Sequence, residues 1–413
     1  MTQTESAPRA LAPWIYTLLI APFGMQSGFL GVTLAYQLGQ AQVSTEAIAG
    51  LIALSYVPQT WKFLWAPVVD LTWSRRNWCF AALLTTALGV FGMGWFGGDG
   101  RALGVLTVVV LAASFASTVI GMSVESLMAH NTPDDQKGRA AGWFQAGNLG
   151  GSGLGGGLAL WLVQDRGMSV AASAATLAVI CLLCGAPLLR LRESAPNAAH
   201  AALDIRVHLR NLWADLWGLV RSRAGALGMF ICFLPMCTGA AGNLWSPLAG
   251  EWQASANTVA FVNGAMGGVI SALGCMVGGY FCDRMDRKSA YCLFGVLLAL
   301  VAVAMALAPR TEFVFIVATS TYAFVVGLTY AGYSAVVLEA IGRGAAATKF
   351  SLLASLANMP IALMTFINGW SHEHWGSAVM LYGEAAAGVA AVLLFMAVAR
   401  FSLRAPVEAV APG

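Results

Sequence analysis

Long apolar runs dominate this sequence and leave few folds open to it. Of the 413 residues, 58% are hydrophobic and only 10% are charged, whereas soluble domains carry about 25% charged residues. A helix needs about 20 mostly apolar residues to cross a lipid bilayer. Since a soluble chain of this size could not bury so much apolar surface, the composition predicts an all-α integral membrane protein.

Twelve apolar runs separated by polar segments each predict one membrane-spanning helix. A longer polar segment, 191–224, follows the sixth run and predicts a connector between an N-terminal six-helix bundle at 1–190 and a C-terminal one at 225–400, with a tail at 401–413. The predicted helices cover 11–38, 47–69, 78–97, 102–129, 139–163, 169–190, 225–249, 257–282, 289–308, 312–340, 347–371 and 376–400.

The cationic residues are distributed unequally between the two ends of these helices. Of the 22 lysines and arginines, 18 fall in the termini, the connector or the loops on the same side of the membrane. Cytoplasmic loops are enriched in Lys and Arg, so both termini are expected in the cytoplasm. No cleavable signal peptide is expected ahead of the first helix. We therefore expect a multi-pass protein of the bacterial inner membrane.

Two acidic positions recur at nearly the same interval along the chain. Asp70 and Asp283 end the second and eighth predicted helices and are 213 residues apart. Glu125 and Glu339 lie near the ends of the fourth and tenth, 214 residues apart. Recurrence on equivalent helices indicates an internal repeat, and hence two pseudo-symmetric six-helix bundles.

The segment after the second aspartate carries a more specific signal. "GYFCDRMDRK" (279–288) resembles the G-x-x-x-D-R-x-G-R-K loop of the major facilitator superfamily, with Asp286 where glycine is usual. The copy in the first half, "APVVDLTWSRR" (66–76), keeps the aspartate and the arginines. This resemblance extends over essentially the whole chain and implies the major facilitator fold.

A narrower resemblance begins at Trp61. "WKFLWAPVVD" (61–70) is similar to the K-[FL]-L-W-[AS]-P-[LV]-x-D stretch of the peptide–acetyl-CoA–drug permeases, which include muropeptide and siderophore permeases and acetyl-CoA transporters. The segment 132–162 also resembles that group, although Asn148 stands where many members have arginine. The resemblance implies a secondary active transporter that works by alternating access and imports a bulky, anionic solute together with protons.

Polar side chains recur on single faces of several predicted helices, which places them toward the protein interior and not toward lipid. The resemblance implies that the third, sixth, ninth and twelfth helices support the bundle while the other eight line a cavity. Serines and threonines more often tie helices together, so bulkier groups are the better candidates. The candidate substrate-binding residues are Gln26, Gln59, Lys62, Gln145, Asn148, Asn243, Asn263, Tyr330, Tyr333 and Asn358.

Lys62 has two interpretations. It shares a helix face with Gln59 and has no counterpart one period later, where Cys275 stands. An ionisable residue inside a membrane segment is by default a functional candidate. Lys62 therefore either contacts a substrate anion or forms a structural ion pair with an acid such as Glu125.

The superfamily resemblance also implies a gate, in which helix-end acids pair with loop cations when the cytoplasmic side closes. Glu125 and Glu339 have a second interpretation as proton carriers, and Glu384 is expected to be structural or to reach the membrane boundary. The candidate gating residues are Asp70, Arg75, Arg76 and Glu125 in the first half and Asp283, Arg284, Arg287 and Glu339 in the second.

Other features favour plain structural roles. The glycines of the fifth helix (147–157) predict close helix packing. The segment 372–374, His-Glu-His, predicts an exposed loop, because no third metal ligand is evident. We expect no cofactor, metal site or nucleic-acid partner, and a monomer.

Three other functions compete with import. Efflux of drugs or metabolites is the main alternative. A membrane-embedded acyltransferase would need a histidine inside a span, and none of the five lies there. A receptor would not need gating residues repeated in both halves.

Overall fold

The computed structural model of the protein describes residues 12–97, 102–132, 137–191, 222–341 and 346–404, and part of 207–221. Within these ranges the chain is almost entirely helical and contains no strand. The side chains of Asp70 and Glu339 lie outside the described part, although their backbones belong to helices.

The first half contains six helices, several of them composed of consecutive pieces. They are α1 (Ile15–Gln40), α2 (Thr45–Thr60 and Lys62–Thr72), α3 (Arg75–Phe96), α4 (Leu103–Asn131), α5 (Lys137–Gly153, Leu154–Leu158 and Ala159–Gln164) and α6 (Val170–Cys184).

The second half repeats this order. Its helices are α7 (Arg223–Phe233, Ala240–Leu244, Trp245–Leu248 and Ala249–Trp252), α8 (Ala256–Val259, Ala260–Met266 and Gly267–Cys282), α9 (Arg287–Leu307), α10 (Glu312–Ile341), α11 (346–375) and α12 (377–404). The last two form one helical run that is interrupted at Gly376.

The prediction of a twelve-helix membrane fold is confirmed. Eight stretches of the described chain are long and apolar enough to cross a membrane, and the last of them, Leu352–Arg400, covers most of both α11 and α12. The observed helix ends differ from the predicted ones by a few residues. The largest difference is in α7, which is interrupted between Phe233 and Ala240.

Glycines let α1, α5 and α8 approach until their backbones touch. Each of these helices contains a π-helical segment, at Phe29–Leu34, Leu154–Leu158 and Ala260–Met266. A Cβ atom added to Gly264 would lie 2.5 Å from the Cα of Gly157, too close for any side chain at either position. The predicted close packing of the glycine-rich fifth helix is therefore confirmed, and α5 and α8 join the two halves through their backbones.

The two halves meet at one end of the bundle, which we call the closed face. Here the Thr45 amide at the start of α2 donates a 2.8 Å hydrogen bond to Glu373 of α11. Asn257 of α8 donates a 3.1 Å bond to Asp165, which follows α5. The largest apolar cluster draws residues from both halves near this end, among them Ile48 and Trp245. The opposite end, where α2 and α4 finish, we call the open face.

The segment 372–374 is not the loop that was expected. It continues α11 at the closed face, and His372 is hydrogen-bonded to Glu251. Glu251 also accepts a bond from Ser377 and lies 3.4 Å from Arg310. Burial alone would raise the pKa of Glu251, but the bonds from His372 and Ser377 and the charges of His372 and Arg310 outweigh burial and lower it. Glu251 thus favours its ionised form at this face.

Candidate functional site: the central cavity

A cavity of about 450 Å³ lies between the two halves. Its lining residues belong to α1, α2, α4, α5, α7, α9, α10 and α11, mostly to the parts of these helices nearer the open face. The volume falls within the range of about 300–1,000 Å³ that is typical of sites for small molecules. Closed contacts at one face and a cavity toward the other are the arrangement that alternating access requires.

The wall formed by the first half is polar and charged. Gln59 and Lys62 of α2, Glu125 of α4, and Gln145 and Asn148 of α5 all line the cavity. The amide of Asn148 donates a 3.5 Å hydrogen bond to the Gln145 side chain, one turn away. This wall therefore offers amide donors and acceptors beside a cation.

Lys62 forms an ion pair with Glu125. Because α2 is interrupted at Trp61, Lys62 begins a second helical segment, and its Nζ lies 3.5 Å from Oε1 of Glu125. The lysine side chain is 18% exposed and the glutamate side chain 41%. The pair that the structural interpretation expected is thus present, and Lys62 also lies in the cavity wall.

The wall formed by the second half is aromatic. Tyr330 and Tyr333 of α10 line it together with Tyr291 of α9, and the rings of Tyr291 and Tyr333 lie 6.4 Å apart. Asn358 of α11 also lines the cavity, and its amide donates a 3.1 Å bond to the carbonyl of Ala354. Rings with polar edges suit the faces of sugars or other planar groups.

Three predicted binding residues lie away from the cavity. Gln26 is buried inside the first half, where its side chain exchanges hydrogen bonds with serines of α4. Asn263 belongs to the part of α8 that packs on α5 near the closed face, and it donates a 3.5 Å bond to Ser246. The expectation that α8 contributes to the lining therefore fails among the described residues, because its π-helical segment is used to join the halves.

Asn243 is the third predicted binding residue that lies away from the cavity, and it forms a hydrogen bond with a residue of the cavity wall. Its amide donates a 2.8 Å bond to Thr365, and its carbonyl oxygen accepts a 3.3 Å bond from Tyr56. Tyr56 itself lines the cavity. Tyr56 and Tyr291 were not predicted as lining residues. Tyr56 lies three residues before Gln59 on the same helix face, so that polar stripe could have indicated it, whereas Tyr291 belongs to a helix that is otherwise apolar beyond its first turn. The ninth helix was also expected to be purely supporting.

Some of the candidate gating residues of the first half have described contacts. Arg75 donates a 2.8 Å bond from its Nε to Ser126, whereas Glu125 faces the cavity and Lys62. In the second half Asp283, Arg284 and Arg287 are exposed at the open face.

Two of the gating arginines lie against aromatic rings, and two of the gating acids have side chains outside the described part. The guanidinium of Arg284 lies 3.5 Å above the ring of Tyr280, and that of Arg76 lies 5.6 Å from the ring of Phe80. The gating assignments of Asp70 and Glu339 fall on side chains outside the described part.

Asp286, the residue that departs from the superfamily loop, caps a helix. Its carboxylate accepts bonds of 2.9 Å from the amide and 2.8 Å from the hydroxyl of Ser289, in the first turn of α9. The bond from the Ser289 amide is the main cause that lowers the pKa of Asp286. The substitution thus supplies the N-cap of α9.

Two six-helix bundles around one central cavity define a membrane transporter. The Major Facilitator Superfamily profile matches residues 14–365, and this chain belongs to that superfamily. Among individual proteins it is similar to the anhydromuropeptide permease of Escherichia coli (strain K12), with 22% identity over 405 residues that cover 91% of this chain and 76% of the permease. The superfamily consists of transporters and not of enzymes.

Solved structures show the same fold. The nucleoside transporter NupG superimposes with a TM-score of 0.69 at 13% identity, covering 95% of this chain and 99% of the other. The xylose transporter XylE from E. coli, in a partially occluded inward-open conformation, gives a TM-score of 0.67 at 12% identity, with 93% and 99% covered.

Proposed function

We propose that this chain imports a bulky, anionic solute across the bacterial inner membrane by alternating access, driven by protons. The proposed solutes are a muropeptide, a siderophore or an acyl-CoA-like molecule. The similarity to an anhydromuropeptide permease over 91% of the chain supports the first of these.

Lys62 in the cavity wall is the observation that carries the proposal. Among the described lining residues, Lys62 and Glu125 carry the full charges, and amides surround them. The tyrosines stand on the opposite wall. A solute with an anionic end and a sugar or other flat part would satisfy both walls at once.

Glu125 supports the coupling to protons. Its carboxylate balances Lys62 across 3.5 Å. A solute anion that takes this place leaves the carboxylate without its cation, and a proton neutralises it. Binding of the anion and binding of the proton are then linked at one pair of residues.

The distribution of exposed cations supports an orientation in the membrane. Exposed cations such as Arg284 and Arg287 lie at the open face, so we propose that the open face is cytoplasmic. The structure would then be inward-facing, the state that releases an imported solute.

The test is uptake of radiolabelled anhydromuropeptide by proteoliposomes that contain the purified protein. We expect the solute to accumulate when the medium is more acidic than the vesicle interior, so that protons are driven inward. The accumulation should disappear when an uncoupler is added. Accumulation that survives the uncoupler with no other ion gradient would overturn proton coupling. Loss of label from preloaded vesicles under the same gradient would instead identify efflux.

A further inference from the structure

Glu384 is a buried carboxyl group in α12, a helix that contributes no residue to the described lining of the cavity. It lies about two turns from Gly376 and is 6% exposed. An ionisable side chain buried at this depth of a membrane helix is costly unless other groups compensate it. The expectation that Glu384 reaches the membrane boundary is therefore wrong.

Three donors from three elements surround the carboxyl group. The amide N–H of Ala241 and the side-chain amide of Asn368 donate to its Oε2 over 2.8 and 2.7 Å. The hydroxyl of Tyr322 donates to its Oε1 over 2.5 Å. Because all three groups donate to it, the arrangement fits a carboxylate.

One of these donors is the point where α7 resumes after its interruption. The helix stops at Phe233, and the next turns include Cys237 and Gly239 at φ of 62° and 63°. Glycine adopts that conformation freely, but cysteine is strained in it. The Ala241 amide, in the first turn after the interruption, has Glu384 as its acceptor in place of a helical carbonyl. The carboxylate thus holds the restarted end of α7 in place.

The same turns separate Glu384 from the central cavity. Cys237 and Thr238 line the cavity, and they also line a small void of about 10 Å³ that Glu384 borders on its other side. A shift of this one layer would connect the carboxyl group with the water of the cavity.

We propose that Glu384 is a proton-binding latch, whose carboxylate holds the interruption of α7 and whose protonation releases it. The inference rests on the proposed proton-driven transport and adds a second proton site, in the other half from Glu125. A proton from the cavity adds to one carboxylate oxygen. When that oxygen is Oε2, it becomes a donor and a weaker acceptor, so the bonds from the Ala241 and Asn368 amides are weakened.

Of the described groups packed around Glu384, none is a stronger acid or a base that would take up the proton in its place. Tyr322 of α10 and Cys237 of the interrupted segment are weak acids, and Asn368 of α11 does not titrate. The neighbouring residues of α9, among them Gly295 and Leu298, are apolar. Among the described residues no lysine, arginine or histidine forms an ion pair with Glu384.

Hydrogen–deuterium exchange of the purified full-length protein, corrected for intrinsic exchange rates, tests the latch without any solute. In the wild type we expect the amides of 240–244 to be protected at pH 8 and to exchange about tenfold or more faster at pH 5, since a charge-assisted bond is lost. In Glu384→Gln, exchange should be fast at both pH values. Wild-type protection that does not change with pH would overturn the proposal and leave only a structural role.

Tyr322→Phe is the second variant and keeps the carboxyl group. Because it removes one donor to the carboxylate, the pH at which protection is lost should move upward. An unchanged pH would contradict the proposal.

Transport separates this proposal from the proposed function. In proteoliposomes loaded with anhydromuropeptide, Glu384→Gln should retain exchange of labelled for unlabelled solute and lose accumulation driven by the pH gradient. Gradient-driven accumulation in Glu384→Gln would overturn the latch as a coupling site. If exchange protection behaves as expected but the wild type does not transport this probe, the proposed solute fails and the latch stands.

Discussion

At the scale of single residues, the Lys62–Glu125 pair is suited to being exchanged. The two charged atoms are 3.5 Å apart, and both side chains keep some contact with the cavity. Ion pairs that water can reach contribute only about 0.2–1 kcal/mol. Little free energy is therefore lost when a solute anion replaces Glu125 beside Lys62. The lysine is paired with a negative charge before and after the exchange.

We predict that Lys62→Gln weakens binding of anhydromuropeptide by about 10- to 100-fold, because a hydrogen bond to a charged group contributes about 1.5–3 kcal/mol. Isothermal titration calorimetry would measure the change. Lys62→Arg should retain most of the affinity. Lys288→Gln makes the same change of charge at the start of α9, outside the cavity. Equal losses in Lys62→Gln and Lys288→Gln would contradict a specific contact.

Asp286 gives a second prediction at this scale. Asp286→Ala should reduce the free energy of unfolding by about 1 kcal/mol, because the first turn of α9 loses its cap. Asp286→Asn can still accept the bond from the Ser289 amide and should be nearly neutral. Thermal unfolding in detergent would compare the two, and a stability of the Ala variant equal to that of wild type would show that the cap is unimportant.

At the scale of elements, apolar runs predicted all twelve helices, but the interruptions inside them escaped prediction. Periodicity shows that a segment is helical, whereas the turn at which α7 resumes is bonded to Glu384, 143 residues further along the chain. The candidate site divides in the same way. Seven of the ten predicted binding residues line the cavity, while Gln26, Asn243 and Asn263 were drawn into contacts between helices.

The backbone contact between α5 and α8 leads to a prediction about this joint. Gly264→Val would place its side chain against the backbone of Gly157, so the halves should separate at the closed face. Hydrogen–deuterium exchange of 45–48 should then become faster. Gly250→Val adds the same side chain where a Cβ meets nothing within 4 Å, and it should leave exchange unchanged. Slow exchange in both variants would mean that the α5–α8 contact tolerates the added valine side chain.

At the scale of the whole molecule, the bond from the Thr45 amide to Glu373 is one of the described polar contacts that hold the two halves together at the closed face. We predict that Glu373→Gln speeds amide exchange at Thr45 by about two- to tenfold, since the lost bond contributes about 0.5–1.5 kcal/mol. Glu312→Gln is the matched control, because Glu312 accepts bonds from Ser255 and Thr258 within the second half. If the control affected Thr45 equally, the effect would not be specific to the interface.

Acid should destabilise the second half through Glu251, whose partners Arg310, His372 and Ser377 all belong to that half. Its pKa is lowered in the folded state, so the stabilisation is fully present above the carboxyl group's ordinary pKa of 4.5 and is lost as the pH falls through the lower folded value. Melting temperatures of the wild type should therefore decline below about pH 4.5 more steeply than those of Glu251→Gln. Parallel curves would show that other groups cause the decline.

The unlike walls of the cavity have a consequence for which molecules the protein carries. In the proposed transport cycle the cationic wall moves with one bundle and the tyrosine wall with the other, so a solute long enough to touch both would link them. A fragment with the anionic end alone, or the ring alone, would occupy one wall without drawing the bundles together. Such a fragment would bind without being transported. Competitive inhibitors of this protein should therefore be found among truncated forms of its solute.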